Sequence, residues 1–200
     1  MPNWSWNFID GETLGDPATH VSIPEKPGLY VWRVKCCSNV AVDLIPREFV
    51  EALQLSLQRP IGYVEPPKLS PTVHLGPIKI GGGDLTDDKA DFIRNDFGTR
   101  PNRDHLVNFF RGLEQFAPPV YAGHSVNIRK RVVEHRNGLT PLENYLKHKL
   151  RRDWSEISLG FLPLPESLCN QDKQPLKQLL STLEMVMQLH LAPHGVLRQG

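Results

Sequence analysis

Arg131 and His135 stand four residues apart in the segment YAGHSVNIRKRVVEH (121–135), so on a helix both side chains leave from one face. A guanidinium and an imidazole held together on a rigid face suit a phosphodiester, because the fork-shaped cation grips non-bridging oxygens. Hydrolysing that bond takes a deprotonated water in line with the leaving oxygen, positive charge at the phosphate, and relief of the charge that develops on the leaving group. A third candidate is Glu184, beside the apolar stripe of the last predicted helix. Its helical neighbours at three and four residues are Leu180, Ser181, Met187 and Gln188. No lysine or arginine therefore offsets the carboxylate locally, and it needs a partner from elsewhere, a role that a metal ion fills.

Four parts of the chain must position these groups. Residues 1–26 are rich in turn formers, with Trp4, Trp6 and Phe8 alternating, and are expected to form an extended arm whose aromatics anchor on the core. The stretch GLYVWRVK (28–35) has the β-branched and aromatic content of a strand, and the proline before it ends the preceding loop; residues 27–35 open the main module. Residues 36–118 read as an insertion. Within it helices are predicted at 47–58 and 103–116, a proline-rich passage at 60–77, and a turn at glycines 81–83, which lack the lysine and hydroxyl of a phosphate-binding loop. The module resumes over 119–200, with a strand ending at Gly123, helices over 125–137 and 141–151, and a strand over 157–162. The helix predicted at 174–191 is the clearest amphipathic element, since Leu176, Leu179, Leu180, Leu183, Met187 and Leu191 recur at steps of three and four.

Composition sets the outer limits. Two hundred residues at 40% hydrophobic and 22% charged fit one globular domain, or one domain carrying a large subdomain. No apolar run reaches a membrane span, and the first residues lack a basic start followed by an apolar stretch, so a protein kept in the cytoplasm is expected. Cys36 and Cys37 are adjacent and poorly placed to bridge, and Cys169 has no obvious partner, which fits a reducing compartment. A net charge of +1 argues against nucleic acid, whose non-specific affinity comes mostly from Lys and Arg. The distribution answers that objection. Between 120 and 152 stand Arg129, Lys130, Arg131, Arg136, Lys147, Lys149, Arg151 and Arg152, against only Glu134 and Glu143. Such a local positive patch is the footprint of a protein that docks on a polyanion, a solvated helix face being the plainer alternative. The insertion has no comparable basic excess.

The ordered combination resembles the GIY-YIG nuclease family, with Gly28, Leu29 and Tyr30 as its first motif and Tyr121, Ala122 and Gly123 as its second. The resemblance covers about half of the chain, because the long insertion parts motifs that are close together in the family. It implies an α/β fold, a small three-stranded antiparallel sheet flanked by helices, here enlarged by the N-terminal arm and the insertion. It also implies a metal-dependent endonuclease with Tyr30, Tyr121, Arg131, His135 and Glu184 as the catalytic set. Glu184 is then the ligand of magnesium or manganese, Arg131 the phosphate clamp, Tyr30 the general base or water-orienting group, Tyr121 a hydrogen-bonding partner, and His135 a phosphate contact or proton relay. An unperturbed phenol ionises near pH ~10, so Tyr30 acts as a base at neutral pH only with positive charge nearby. Arg129, Lys130, Arg136, Lys147, Lys149, Arg151 and Arg152 are the expected nucleic-acid contacts, with DNA as the substrate and RNA open. Restriction endonucleases similar to this family imply a homodimer. Two positions depart from the pattern. His124 stands where many members carry a lysine or a small hydroxyl residue, and is an auxiliary candidate that activates Tyr30 or serves as base. Gly195 stands where an asparagine is common, with His194 beside it. These departures keep a second expectation in play, an inactive nucleic-acid-binding or protein-interaction module on the same scaffold.

Overall fold

The computed structural model describes residues 5–35, 40–58, 62–64, 78–80, 83–113, 119–170 and 172–190. Trp4, Cys36, Cys37, Leu191, His194, Gly195, the first two glycines of 81–83 and most of the proline-rich passage lie outside them. In chain order the elements are β1 (Asn7–Asp10), a 3-10 turn (Thr13–Gly15), α1 (Pro17–His20), β2 (Gly28–Val34), α2 (Pro46–Gln58), β3 (Gly62–Val64), β4 (Ile78–Ile80), α3 (Asp87–Asp96), α4 (Arg100–Leu113), β5 (Tyr121–Ser125), α5 (Ile128–Arg136), α6 (Pro141–Asn144), a π turn (Tyr145–Leu150), a second 3-10 turn (Trp154–Glu156), β6 (Ile157–Pro163), α7 (Glu166–Cys169) and α8 (Lys173–His190). None of the described helices is long and apolar enough to cross a membrane.

The chain divides into two compact units, one formed by Met1–Arg33 with Pro118–Gly200 and the other by Val34–Ala117. The first is built on a four-stranded antiparallel sheet in the order β1-β6-β2-β5. Three strands are the expectation from the resemblance. The fourth comes from the N-terminal segment: β1 pairs with β6, with Asn7 opposite Phe161 and Asp10 opposite Ser158. The segment is therefore a strand followed by helical turns, and not only an extended arm. Trp6 still packs against the core, stacked at 6.5 Å on Phe8, whereas Phe8 is 42% exposed.

All seven residues of β2 are buried, as its central place requires. Successive strand residues face opposite sides of a sheet. One side of β2 and β5 gives Leu29, Val31 and Ala122 to a core with Leu162 and with Leu183 and Met187 of α8. The other side gives Tyr30, Trp32 and Tyr121, whose rings meet His135 of α5. The sheet thus separates α5 from α8.

The second unit packs α2 and α3 around Phe49, Val50, Leu53, Ala90, Ile93 and Val107 of α4. Its buried cation, Arg103, is satisfied by the carbonyl oxygens of Val42 at 2.8 Å and Gly98 at 2.6 Å and lies over the Phe49 ring. A two-stranded antiparallel ribbon, β3 with β4, belongs to the same unit.

Candidate active site

Helix α5 starts because Asn127 caps it, its side-chain oxygen accepting from the Lys130 amide at 2.9 Å. It stops at Gly138, which takes φ 69° while the amides of Gly138 and Leu139 donate to the carbonyls of His135 and Glu134. Between these limits Arg131 and His135 occupy consecutive turns over β2. Both reach the same atom. Arg131 Nε donates to the Tyr30 hydroxyl at 3.3 Å and His135 Nε2 lies 3.0 Å from it. The Tyr121 ring stacks on Tyr30 at 6.0 Å and meets His135 edge-on at 5.2 Å. Gly123, opposite Tyr30 in the β2–β5 register, makes room for this phenol: a Cβ at Gly123 would stand 2.7 Å from the Tyr30 hydroxyl oxygen.

Burial decides the protonation of this cluster. Tyr30 is 1% exposed and His135 is fully buried. Burial pushes the Tyr30 phenol up, with Tyr121 adding to the rise, and the nearby Arg131 does not reverse it. Positive charge next to Tyr30 is present, yet the phenol stays neutral at neutral pH instead of ionising. Burial, followed by the charge of Arg131, pushes the His135 imidazole down to about 3, so it too is neutral. Burial alone would ease the proton off Arg131, but hydrogen bonds to Tyr30 and Glu134 outweigh it and hold the guanidinium above its ordinary range. On its other side, His135 Nδ1 lies 2.6 Å from Oγ1 of Thr140.

Glu184 lies elsewhere. His124 follows Gly123 on β5, and that one-residue step turns its ring to the α8 side, where Nδ1 meets Glu184 Oε2. Gln188, one turn along α8, donates to the other carboxylate oxygen at 2.8 Å. The partner that the sequence leaves unassigned is therefore a histidine of the neighbouring strand. Tyr30, Tyr121, Arg131 and His135 come together on one face of the sheet, while Glu184 and His124 come together on the other. β5 is an edge strand, and its last two residues, His124 and Ser125, are the partly exposed ones.

The basic residues divide by use. Arg129 holds the preceding loop, donating to the carbonyls of Ile23 at 2.7 Å and Val21 at 3.0 Å and to the Glu25 carboxylate at 2.5 Å. Arg136 lies over the Trp154 ring at 4.8 Å, and Arg152 is buried against Glu156 at 2.8 Å. Lys130, Lys147, Lys149 and Arg151 are exposed, with Lys147 beside Glu143. Those four make up the solvent-facing part of the predicted patch. Arg131 also pairs with Glu134 at 3.0 Å, the plain local pairing open to it. Sequence reasoning passes over Thr140 and over the binding role of Gln188. The i,i+4 step from Glu184 is a usable signal for the second, whereas nothing periodic marks Thr140.

No protein-family model, no curated protein and no solved structure matches this chain.

Proposed function

We propose that the chain is a divalent-metal-dependent endonuclease of the GIY-YIG type, hydrolysing phosphodiester bonds in DNA. The observation that carries this reading is the meeting of Arg131 and His135, from successive turns of α5, at the hydroxyl of Tyr30. Arg131 is partly exposed, its side chain 26% accessible, and is the permanent cation that grips a phosphate and follows its charge into the transition state. Tyr30 enters as a neutral phenol, a hydrogen-bonding group and not an ionised base. His135 holds that phenol in place; its burial rules out direct contact with a phosphate in the conformation described. Exposed Lys130, Lys147, Lys149 and Arg151 track the backbone of the nucleic acid.

Glu184 offers a single carboxylate to a hard divalent cation, since no cluster of three or more His, Cys, Asp or Glu stands among the described residues, and the remaining ligands would be waters and substrate oxygens. Each of its oxygens takes one hydrogen bond, from His124 or Gln188, and keeps acceptor capacity, and the side chain is 22% accessible to water. Such a carboxylate with waters suits magnesium or manganese. When bound, the ion supplies positive charge to the phosphate and the leaving oxygen. The edge position of β5 supports a substrate seated beyond His124 and Ser125, where groups from both faces of the sheet can approach one strand margin.

Plasmid incubated with the protein and magnesium is expected to be nicked, with the loss of nicking in Arg131→Ala and Glu184→Ala. Equal cleavage by wild type and both variants would place the chemistry elsewhere. The 1% exposure of Tyr30 favours a second reading, a module on the same scaffold that binds nucleic acid or protein without cutting it. Salt-sensitive DNA binding with no nicking under either metal selects that reading.

A further inference from the structure

The Tyr30 hydroxyl lies within hydrogen-bonding distance of His135 Nε2 and Arg131 Nε and beside the Tyr121 side chain, and its own proton goes to an acceptor among them, since a buried O–H left without one is strongly disfavoured. Arg131 cannot accept, because a guanidinium carries donors only. His135 Nε2, at 3.0 Å the nearer of the two ring and guanidinium partners, serves as the acceptor, which places the imidazole proton on Nδ1, and Nδ1 lies 2.6 Å from Oγ1 of Thr140. The four groups form one directed chain. Thr140 accepts from His135, His135 accepts from Tyr30, and Tyr30 accepts from Arg131 Nε. Its first three members are closed to water, with Thr140 at 7%, His135 at none and Tyr30 at 1% exposure, and the guanidinium at its end is partly open. At that open end Glu134 occupies Nη1, and Nη2 carries no hydrogen bond among the described residues.

We propose that Thr140 is a positioning residue of this site: by accepting the Nδ1 proton of His135 it holds the buried ring in the tautomer that leaves the Tyr30 oxygen facing Arg131, and so aims Nη2 at a phosphate oxygen. Reversing the chain shows why the hydroxyl matters. With the imidazole proton on Nε2, Tyr30 accepts from His135 and its own proton turns outward, toward the guanidinium donors, and the grip on Arg131 Nε is lost. The proposal rests on the phosphodiesterase reading for its purpose but not for its geometry, and the two fail separately.

Ring nitrogen–proton correlations recorded by NMR on 15N-histidine-labelled wild-type protein test it directly. The expected spectrum has the His135 proton on Nδ1, and a wild-type signal from the Nε2–H form overturns the proposal whatever the protein does to DNA. Thr140→Val removes the acceptor at nearly constant volume and is expected to move the proton to Nε2 and to weaken binding of a duplex oligonucleotide about tenfold, the scale on which supporting partners of a site count. Thr140→Ser, which keeps the hydroxyl, is expected to restore both signals. Unchanged tautomer and unchanged binding in Thr140→Val also overturn it, and if that variant does not fold, the wild-type spectrum alone decides. Absence of nicking by a wild type with the Nδ1–H form rejects the nuclease reading and leaves the positioning role standing.

Discussion

The two faces of the sheet at β5 carry similar chemistry under opposite conditions. On the α5 face an imidazole and two phenols are shut from water, with Tyr30 at 1% and Tyr121 at 4% exposure and His135 at none. On the α8 face the imidazole of His124 and the carboxylate of Glu184 keep 30% and 22% of their side-chain surface accessible. Burial keeps Tyr30 and His135 in their neutral forms, and their contacts make a frame for Arg131. Solvent reaches the second, whose side chains stay accessible. A site divided in this way assigns rigidity to one face and exchange to the other.

The strongest way to break the comparison is acid. His135 is held down to about 3 in the folded protein, and an ordinary histidine titrates near 6.5. Below ~6.5 the unfolded chain takes up a proton that the folded one refuses, so folding stability falls with pH. The loss runs to roughly 1.4 kcal/mol per unit, or about 5 kcal/mol by pH 3. Denaturant titrations at several pH values should show this slope in wild type and a shallower one in His135→Gln; equal slopes would mean that the α5 face does not hold a neutral imidazole. Next comes Arg131→Ala, expected to reduce kcat about 10²- to 10³-fold in a plasmid-nicking assay, the usual loss when one transition-state donor is removed. Gly123→Ala inserts a methyl group where Tyr30 lies, 2.7 Å from its hydroxyl oxygen and 2.8 Å from Cζ, and should destabilise by about 1–3 kcal/mol in thermal unfolding. The smallest effect on folding belongs to the open face. Glu184→Gln should change stability by less than about 1 kcal/mol, yet abolish magnesium-dependent nicking. A large loss of stability there would make Glu184 a structural residue and erase the contrast between the faces.

The legibility of this molecule follows the range of its interactions. Helix α8 is written in its own residues, because Leu176, Leu180, Leu183 and Met187 face the core at helical steps. β2 and β6 declare themselves through runs that are buried along nearly their whole length. β1 does not, since the four residues NFID owe their strand form to pairing with β6, far along the chain. Helix α3 is hidden by its acids, with only Ala90 and Ile93 buried. At the site, the four-residue step from Arg131 to His135 predicts a shared face, and the two do meet at one atom. That this atom belongs to Tyr30 is beyond any local pattern; the resemblance supplies that residue, and spacing does not. Alternation along β5 was enough to turn His124 away from Tyr30, had the strand been extended past Gly123. Thr140 carries no pattern at all, because a single hydroxyl beyond a helix end gains its meaning only from the ring it touches.

Both hydrogen-bonded neighbours of β2 in the sheet, β6 and β5, come from sequence beyond residue 120, and Tyr30 is 101 and 105 positions away from the two side chains that meet it. A nascent chain leaving the ribosome therefore displays GLYVWRV with no strand to pair with until the entire intervening unit has been synthesised. Contacts of such separation close slowly. During that interval an apolar, aromatic, unpaired strand is the segment most apt to pair with its counterpart on another chain, and cooler expression, which weakens apolar association between chains, should raise the yield of soluble protein.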